Sequence, residues 1–268
     1  MRYNFDMNNA KPAAFLPGLV SITFRRLTPA EVIALASEAQ LSGIEWGGDI
    51  HVPHGEIGTA REVARRTRDA GLAVAAYGSY YRVGAKAHDP FSQIVETAIA
   101  LGTKIIRVWP GNVGSAEIEE AGRRAVIEDA RRIADLAVAA GLTIACEWHG
   151  GTLTDTAASA TSLFAAVDSP AFKTYWQPRT KMSSDVSLAD IEAALPRLAG
   201  LHVFHWNEQT ADRRPLAEGE SVWRKYLDRA AAAPGGTAGQ YALLEFIADD
   251  DPAQFLADAA TLKKWLAV

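Results

Sequence analysis

Short apolar runs alternate with amphipathic stretches along most of the chain. Five of these runs share one form, in which a helix-like segment is followed by a glycine and then by a nearly continuous apolar stretch. They are SGIEW, AGLAVAAYG, LGTKIIRVW, AGLTIACEW and AGLHVFHW, with the glycines Gly43, Gly71, Gly102, Gly141 and Gly200. Glycine is favoured just after a helix end, and an apolar run of this length is typical of a strand buried on both faces.

Three further apolar runs bring the predicted strands to eight: LVSITF at 19–24, TYWQ at 174–177 and YALLEF at 241–246. The segments between them show helical spacing, and TPAEVIALASEAQ begins with a capping box of Thr28 and Glu31. This alternation leaves a closed eight-stranded barrel or an open doubly wound sheet. Eight similar units, with no glycine-rich nucleotide loop after the first strand, favour an α/β fold of the (β/α)8 TIM barrel type.

The chain of 268 residues fits a single barrel domain over 15–268, preceded by an N-terminal arm over 1–14. Its net charge of −5 gives no basic field for nucleic acid. No apolar stretch reaches the ~20 residues needed to span a membrane, and no secretory signal pattern opens the sequence, so we expect a cytoplasmic protein. The single cysteine, Cys146, excludes an intrachain disulfide and a cysteine zinc cluster, and its strand parity predicts an inert thiol facing a helix.

Polar residues follow four successive predicted strands at their C-terminal ends, where TIM barrels place their active sites. These residues are Glu147, Gln177, His205 and Glu245. Carboxylates are rarely buried unless they are paired or bound to a cation. A divalent ion would satisfy both glutamates, whereas the alternative is a buried network in which Arg107 or Arg179 neutralises them. The four residues together favour the metal site.

The donor types suit manganese best, with magnesium, cobalt or zinc as alternatives. His202 competes with His205 for the histidine position, because the two have opposite parity and only one should face the barrel. His205 lies nearer the strand end and is preferred, which leaves His202 as a packed structural residue. Arg107 is expected inside the barrel, paired with Glu147 or another carboxylate.

A tryptophan-rich mouth is predicted around this site, since five of the seven tryptophans fall at strand ends. Tryptophan faces pack on sugars, and the alternative is that these rings cap the core. Trp109 is the tryptophan assigned to substrate, together with His149, Arg179 and Arg214, which would orient substrate oxygens. His54, in the loop GGDIHVPHG, reaches the substrate or belongs to a surface loop. The segment from Tyr77 to Arg82 forms a lid or a packed loop.

Glu147, the phrase LHVFHWNE, Glu245 and the later phrase RRPLAEGESVWRKYL together resemble the sugar phosphate isomerase/epimerase family. These are the xylose isomerase-like barrels, which also include endonuclease IV, and the resemblance runs from Leu19 onward. It implies one divalent metal held by Glu147, Gln177, His205 and Glu245. The family usually has Asp where this chain has Gln177, and often a His near the position of Arg179. Because the amide carries no charge, the metal preference and the substrate are expected to differ from the better-known epimerases.

The expected reaction is a sugar isomerisation or epimerisation, in which a metal stabilises an enediolate and Glu147 and Glu245 act as base and acid. If a group leaves from the neighbouring carbon, the same site becomes a lyase or dehydratase for a keto-sugar or keto-glycoside. A metal-free sugar-binding barrel is the third hypothesis. The expected partner is a small-molecule carbohydrate, and a homo-oligomer is compatible with the family's usual dimers and tetramers.

Overall fold

A computed structural model describes residues 15–85, 90–232 and 237–267, so the predicted arm over 1–14 lies outside the described residues. The strands are β1 Phe15–Val20, β2 Gly43–Gly47, β3 Ala73–Arg82, β4 Ile105–Trp109, β5 Thr143–Glu147, β6 Phe172–Trp176, β7 Leu198–Val203, β8 His205–Trp206, β9 Arg213–Arg214 and β10 Gln240–Leu244. Eight of them form a closed parallel barrel in the order β1-β10-β7-β6-β5-β4-β3-β2, and β8 and β9 form a separate antiparallel pair. The predicted TIM barrel is confirmed.

Eight helices alternate with the strands within the described ranges. They are α1 Pro29–Glu38, α2 Ile57–Asp69, α3 Phe91–Leu101, α4 Glu120–Ala139, α5 Ala157–Val167, α6 Ser184–Ala194, α7 Glu220–Ala231 and α8 Pro252–Leu266. The predicted capping box at the start of α1 is present, with Thr28 and Glu31 bonded in both directions. No described helix combines the length and apolar character that crossing a membrane would need.

The predicted position of the first strand was wrong. The strand occupies Phe15–Val20, and Ser21–Phe24 form a short 3-10 helix instead of continuing it. All four residues of that helix are buried, so in the sequence they cannot be distinguished from the continuation of a buried strand. Where the chain leaves the sheet, the Ser21 hydroxyl accepts a hydrogen bond from the Gly47 N–H at 2.9 Å.

Tyrosine rings placed opposite glycines fill the lower part of the barrel interior. Tyr175 on β6 pairs in register with Gly200 on β7, and a Cβ atom at Gly200 would lie 2.2 Å from the Tyr175 ring. Gly43 leaves room for Tyr241 in the same way. His202 stacks on Tyr175, with 5.1 Å between ring centroids, so the charged residues above rest on a close-packed aromatic floor.

Replacing Gly200 by alanine should therefore destabilise the protein by about 1–3 kcal/mol, since the methyl group must displace the Tyr175 ring. Gly58→Ala is the matched control, because a methyl group on that exposed helical glycine would have no atom within 4 Å. The control should be neutral or stabilising by up to about 1 kcal/mol. Urea unfolding of both variants measures the difference, and equal stability would contradict the packing described.

Candidate active site

A buried arginine joins two carboxylates across the barrel interior. Arg107 on β4 is 1% exposed, and its Nε donates to Glu45 of β2 at 2.6 Å. Its NH1 group donates to Glu147 at the end of β5, as predicted for Arg107. Gly78 of β3 makes room for the pair, because a Cβ there would lie 2.6 Å from the guanidinium. Glu45 was missed, although a carboxylate inside the wholly buried run GIEWG was a usable signal.

His202 lies at the centre of this network and is fully buried. Its Nδ1 is 3.3 Å from Glu245 and 3.2 Å from the amide oxygen of Gln177, while its Nε2 is 3.3 Å from Glu45. Burial alone would lower the pKa of His202, but the charges of Glu245 and Glu45 outweigh it and raise that pKa to about 10. Without a bound cation, the imidazole is therefore a positively charged donor.

The structure places His202, and not His205, beside the two glutamates. The barrel strand β7 ends at Val203, so His205 falls in the short β8, where it pairs with Arg214 of β9. Its half-buried ring packs over Gly219, where a Cβ would lie 2.8 Å from Nδ1. Strand parity correctly implied that only one of the two histidines faces the barrel. The preference for the residue nearer the strand end failed because the strand stops two residues before it.

Glu147 is held by side chains from four neighbouring residues. Its Oε2 accepts from Arg107 and from the Trp109 Nε1–H at 2.6 Å, and its Oε1 accepts from the Gln177 amide at 3.1 Å. Its backbone carbonyl accepts from the Thr154 hydroxyl at 2.6 Å. Burial raises the pKa of Glu147, but Arg107 outweighs this and keeps the pKa below its usual value, so the carboxylate stays ionised.

Three of these buried residues are arranged as a candidate metal site. Glu147, His202 and Glu245 each offer one ligand atom, and these atoms all lie within 4.8 Å of one another. Glu245 Oε2 is buried without a hydrogen-bond partner among the described residues, and it forms an ion pair with His202 Nδ1 at 3.3 Å. With Glu45 the network has three carboxylates, whose negative charge exceeds the positive charge of Arg107 and His202. The residues therefore fit a divalent cation.

The alternative, in which an arginine neutralises the glutamates, holds in part. Arg107 pairs with both Glu147 and Glu45. Burial raises the pKa of Glu45, but the charges of Arg107 and His202 outweigh this effect and lower that pKa to about 2. Gln177 lies between Glu147 and His202, so it is within the cluster but bonded to its neighbours. Arg179 takes no part, because it pairs with the buried Asp190 of α6 at 2.6 Å.

A cleft of about 870 Å³ opens above the cluster at the C-terminal end of the barrel. Glu147, Glu245, Trp109 and His149 line it together with Tyr80. The Trp109 ring lies 4.0 Å from the Arg82 guanidinium and 5.3 Å from the His149 ring. Arg25, Arg26 and Arg213 line the rim of the cleft together with Asp249 and Asp250, and Arg213 pairs with Asp250 at 2.5 Å.

Besides Arg179, two residues assigned to substrate do not line the cleft. Arg214 is exposed on β9, and the neighbouring Arg213 lines the cleft in its place. His54, within the loop after β2, has its Nδ1 2.6 Å from the Tyr77 hydroxyl and does not line the cleft. Their spacing in the sequence could not show which way each loop side chain turns.

The remaining predictions concern Cys146 and the tryptophans, which lie partly in the core and partly at the cleft. Cys146 is fully buried, and burial raises the pKa of its thiol, which confirms an inert cysteine. Trp46, Trp148 and Trp176 are fully buried, so the core-capping alternative holds for these three. Trp109 lines the cleft, as predicted for a substrate contact surface.

Residues 33–264 match the family described as the xylose isomerase-like TIM barrel. The chain belongs to this family. No curated protein sequence is significantly similar to the chain.

Several solved structures share the fold of this family member at low sequence identity. The probable 3-DHS dehydratase AsbF of petrobactin synthesis from Bacillus anthracis has a TM-score of 0.73 and 19% identity, over 93% of this chain and 98% of that one. A xylose isomerase-like TIM barrel protein from Mycobacterium smegmatis in complex with magnesium has a TM-score of 0.68 and 15% identity, over 96% and 98%. The 3-keto-D-glucoside 4-epimerase YcjR from E. coli has a TM-score of 0.65 and 15% identity, over 94% and 98%.

Replacing Arg107 by methionine should cost about 3–5 kcal/mol of unfolding free energy, because buried Glu147 would lose its ion pair and buried Glu45 would keep only its contact with His202. The stability that Arg107 gives to Glu45 is present above the ordinary carboxyl pKa and is lost as the pH falls toward about 2. In the variant the two carboxyls can take up protons more easily. The deficit should therefore shrink as the pH falls from 8 to 4.

Arg66→Met on α2 is the control, since its ion pair with Glu62 is exposed and should contribute about 1 kcal/mol or less. Denaturant unfolding at several pH values measures both variants. A deficit for Arg107→Met that matches the control, or that grows as the pH falls, would contradict the account of the buried pair.

Proposed function

We propose that the protein is a divalent-metal-dependent sugar isomerase or epimerase that moves a proton on a carbon next to a carbonyl group. The observation that carries the proposal is the buried group of Glu147, His202 and Glu245, which faces a cleft at the C-terminal end of the barrel. Membership of the xylose isomerase-like family and the epimerase of the same fold support it. The substrate would be a small carbohydrate.

Glu147, His202 and Glu245 would hold the ion. Carboxylate and imidazole donors suit manganese, and the magnesium complex of a similar fold makes magnesium the second candidate. A bound divalent ion would polarise the substrate carbonyl. His202 must lose its proton to become a ligand, so protons compete with the metal at this residue.

Proton transfer is assigned to Glu245 and His149. The carboxylate of Glu147 already accepts hydrogen bonds from Arg107, Trp109 and Gln177. We therefore assign it to holding negative charge in a fixed position, and not to the acid–base role expected from the sequence. Glu245 lines the cleft, and among the described residues its carboxylate has an ion-pair contact with His202 alone, so it can remove the substrate proton. His149 donates from Nδ1 to the Gly150 carbonyl at 2.6 Å, which leaves Nε2 to exchange a proton.

A lyase or dehydratase is the second candidate, because elimination begins with the same proton removal. One arginine at the rim of the cleft favours it. Arg26 lines the cleft and has no ion-pair partner among the described residues, and a guanidinium suits a carboxylate or an anionic oxygen. Product analysis separates the two reactions, since elimination loses a group and isomerisation keeps every atom.

Metal binding tests the ligand assignment through a matched histidine pair. Equilibrium dialysis against Mn²⁺, followed by elemental analysis, should show at least tenfold weaker binding for His202→Gln than for the unchanged protein. His205→Gln should bind as the unchanged protein does, because His205 lies outside the cluster. Loss of metal in His205→Gln with retention in His202→Gln would reverse the assignment, and no binding in any variant would refute the metal site.

Turnover tests the role of Glu245. A screen of ketoses and keto-glycosides in deuterated water should show deuterium entering the substrate at the carbon next to the carbonyl, by NMR. Glu245→Gln should slow that exchange by about 10²–10⁴-fold and keep the fold, as judged by circular dichroism. Glu218→Gln, an exposed change outside the cluster, is the control and should exchange at the normal rate. Near-full exchange in Glu245→Gln would rule out its role as the base.

A further inference from the structure

A second cavity of about 430 Å³ adjoins the main cleft. The two share His149 and Phe246, and Gln177 of the buried cluster lines the second cavity as well. A ligand extending past His149 and Phe246 would therefore reach both spaces. The volume is within the range of small-molecule sites in proteins.

One wall of the second cavity is an aromatic surface. The rings of Phe204, Trp206 and Phe246 contact one another, with centroids 4.9 to 5.4 Å apart. Phe246 follows Glu245 directly and has a φ of 55°, in the left-handed region that a bulky residue rarely adopts. Strain of this kind persists where surrounding contacts impose it, and functional sites are a common place for it. Here it sets the phenyl ring at the boundary of the two cavities.

We propose that this cavity is a second sugar subsite, so that the substrate is a two-ring glycoside. The reacting ring would occupy the main cleft, and the second ring would pack on Trp206 and Phe204. Arg179 lines the cavity, but its charge is taken by Asp190, which favours an uncharged second ring. The assignment of the reacting ring rests on the proposed function, whereas that of the second ring does not.

Calorimetric titration tests the subsite with D-fructose and its glucosylated counterparts turanose, maltulose and palatinose, which differ in the linked oxygen. At least one disaccharide should bind about tenfold or more tightly than fructose. Trp206→Ala should abolish that gain by removing the aromatic surface. Thr180→Trp should do the same by filling the cavity from its exposed rim, where the fold tolerates bulk. Lys225→Trp, on the exposed side of α7, is the control and should keep the gain.

The subsite is refuted if no disaccharide binds more tightly than fructose, or if both variants retain the gain. Deuterium exchange on the same sugars separates this result from a failure of the proposed function. Exchange on fructose without any preference for disaccharides refutes the subsite alone. A disaccharide preference that both variants abolish, without exchange on any sugar, supports the subsite and removes the isomerase proposal.

Discussion

The buried ion pair network around Arg107 determines how this barrel is built. One guanidinium contacts carboxylates from β2 and β5, and the imidazole of His202 reaches the first of these from β7. Buried charges are tolerated only when they are paired and hydrogen bonded, so each member depends on the others. The strands that carry them must therefore close in one register, and Gly78 must lack a side chain for Arg107 to fit.

The same network holds the candidate ligands in place and keeps an excess of negative charge that a cation would balance. Arg107 and Trp109 hold Glu147 in place from one side, and Gln177 holds it from the other. Glu245 has a single ion-pair contact in the described part of the chain, with His202. Proton transfer in a closed pocket needs charges that are already in position and a carboxylate that can accept the proton.

Most of the fold could be predicted from the sequence, whereas the site could be predicted only in part. Glycine followed by a buried apolar run located the strands, and residues at strand ends located Glu147 and Glu245. The choice between His202 and His205 depended on where β7 stops, which the apolar run LHVFHW does not show. The partner of Arg179 could not be foreseen either, because Asp190 lies on a helix packed outside the barrel. The apolar pattern of a sequence indicates which residues are buried, but it does not show which partner a long side chain will contact.

The order of strands around the barrel has a consequence for how the site comes into being. The last strand, β10, inserts between β1 and β7 and brings Glu245 with it. The candidate ligands on β5 and β7 thus meet their third member only at ring closure, when the two ends of the sheet join. A partly folded chain without β10 would keep an open sheet edge and an incomplete set of ligands. Assembly of the catalytic centre and cooperative closure of the fold are therefore one event.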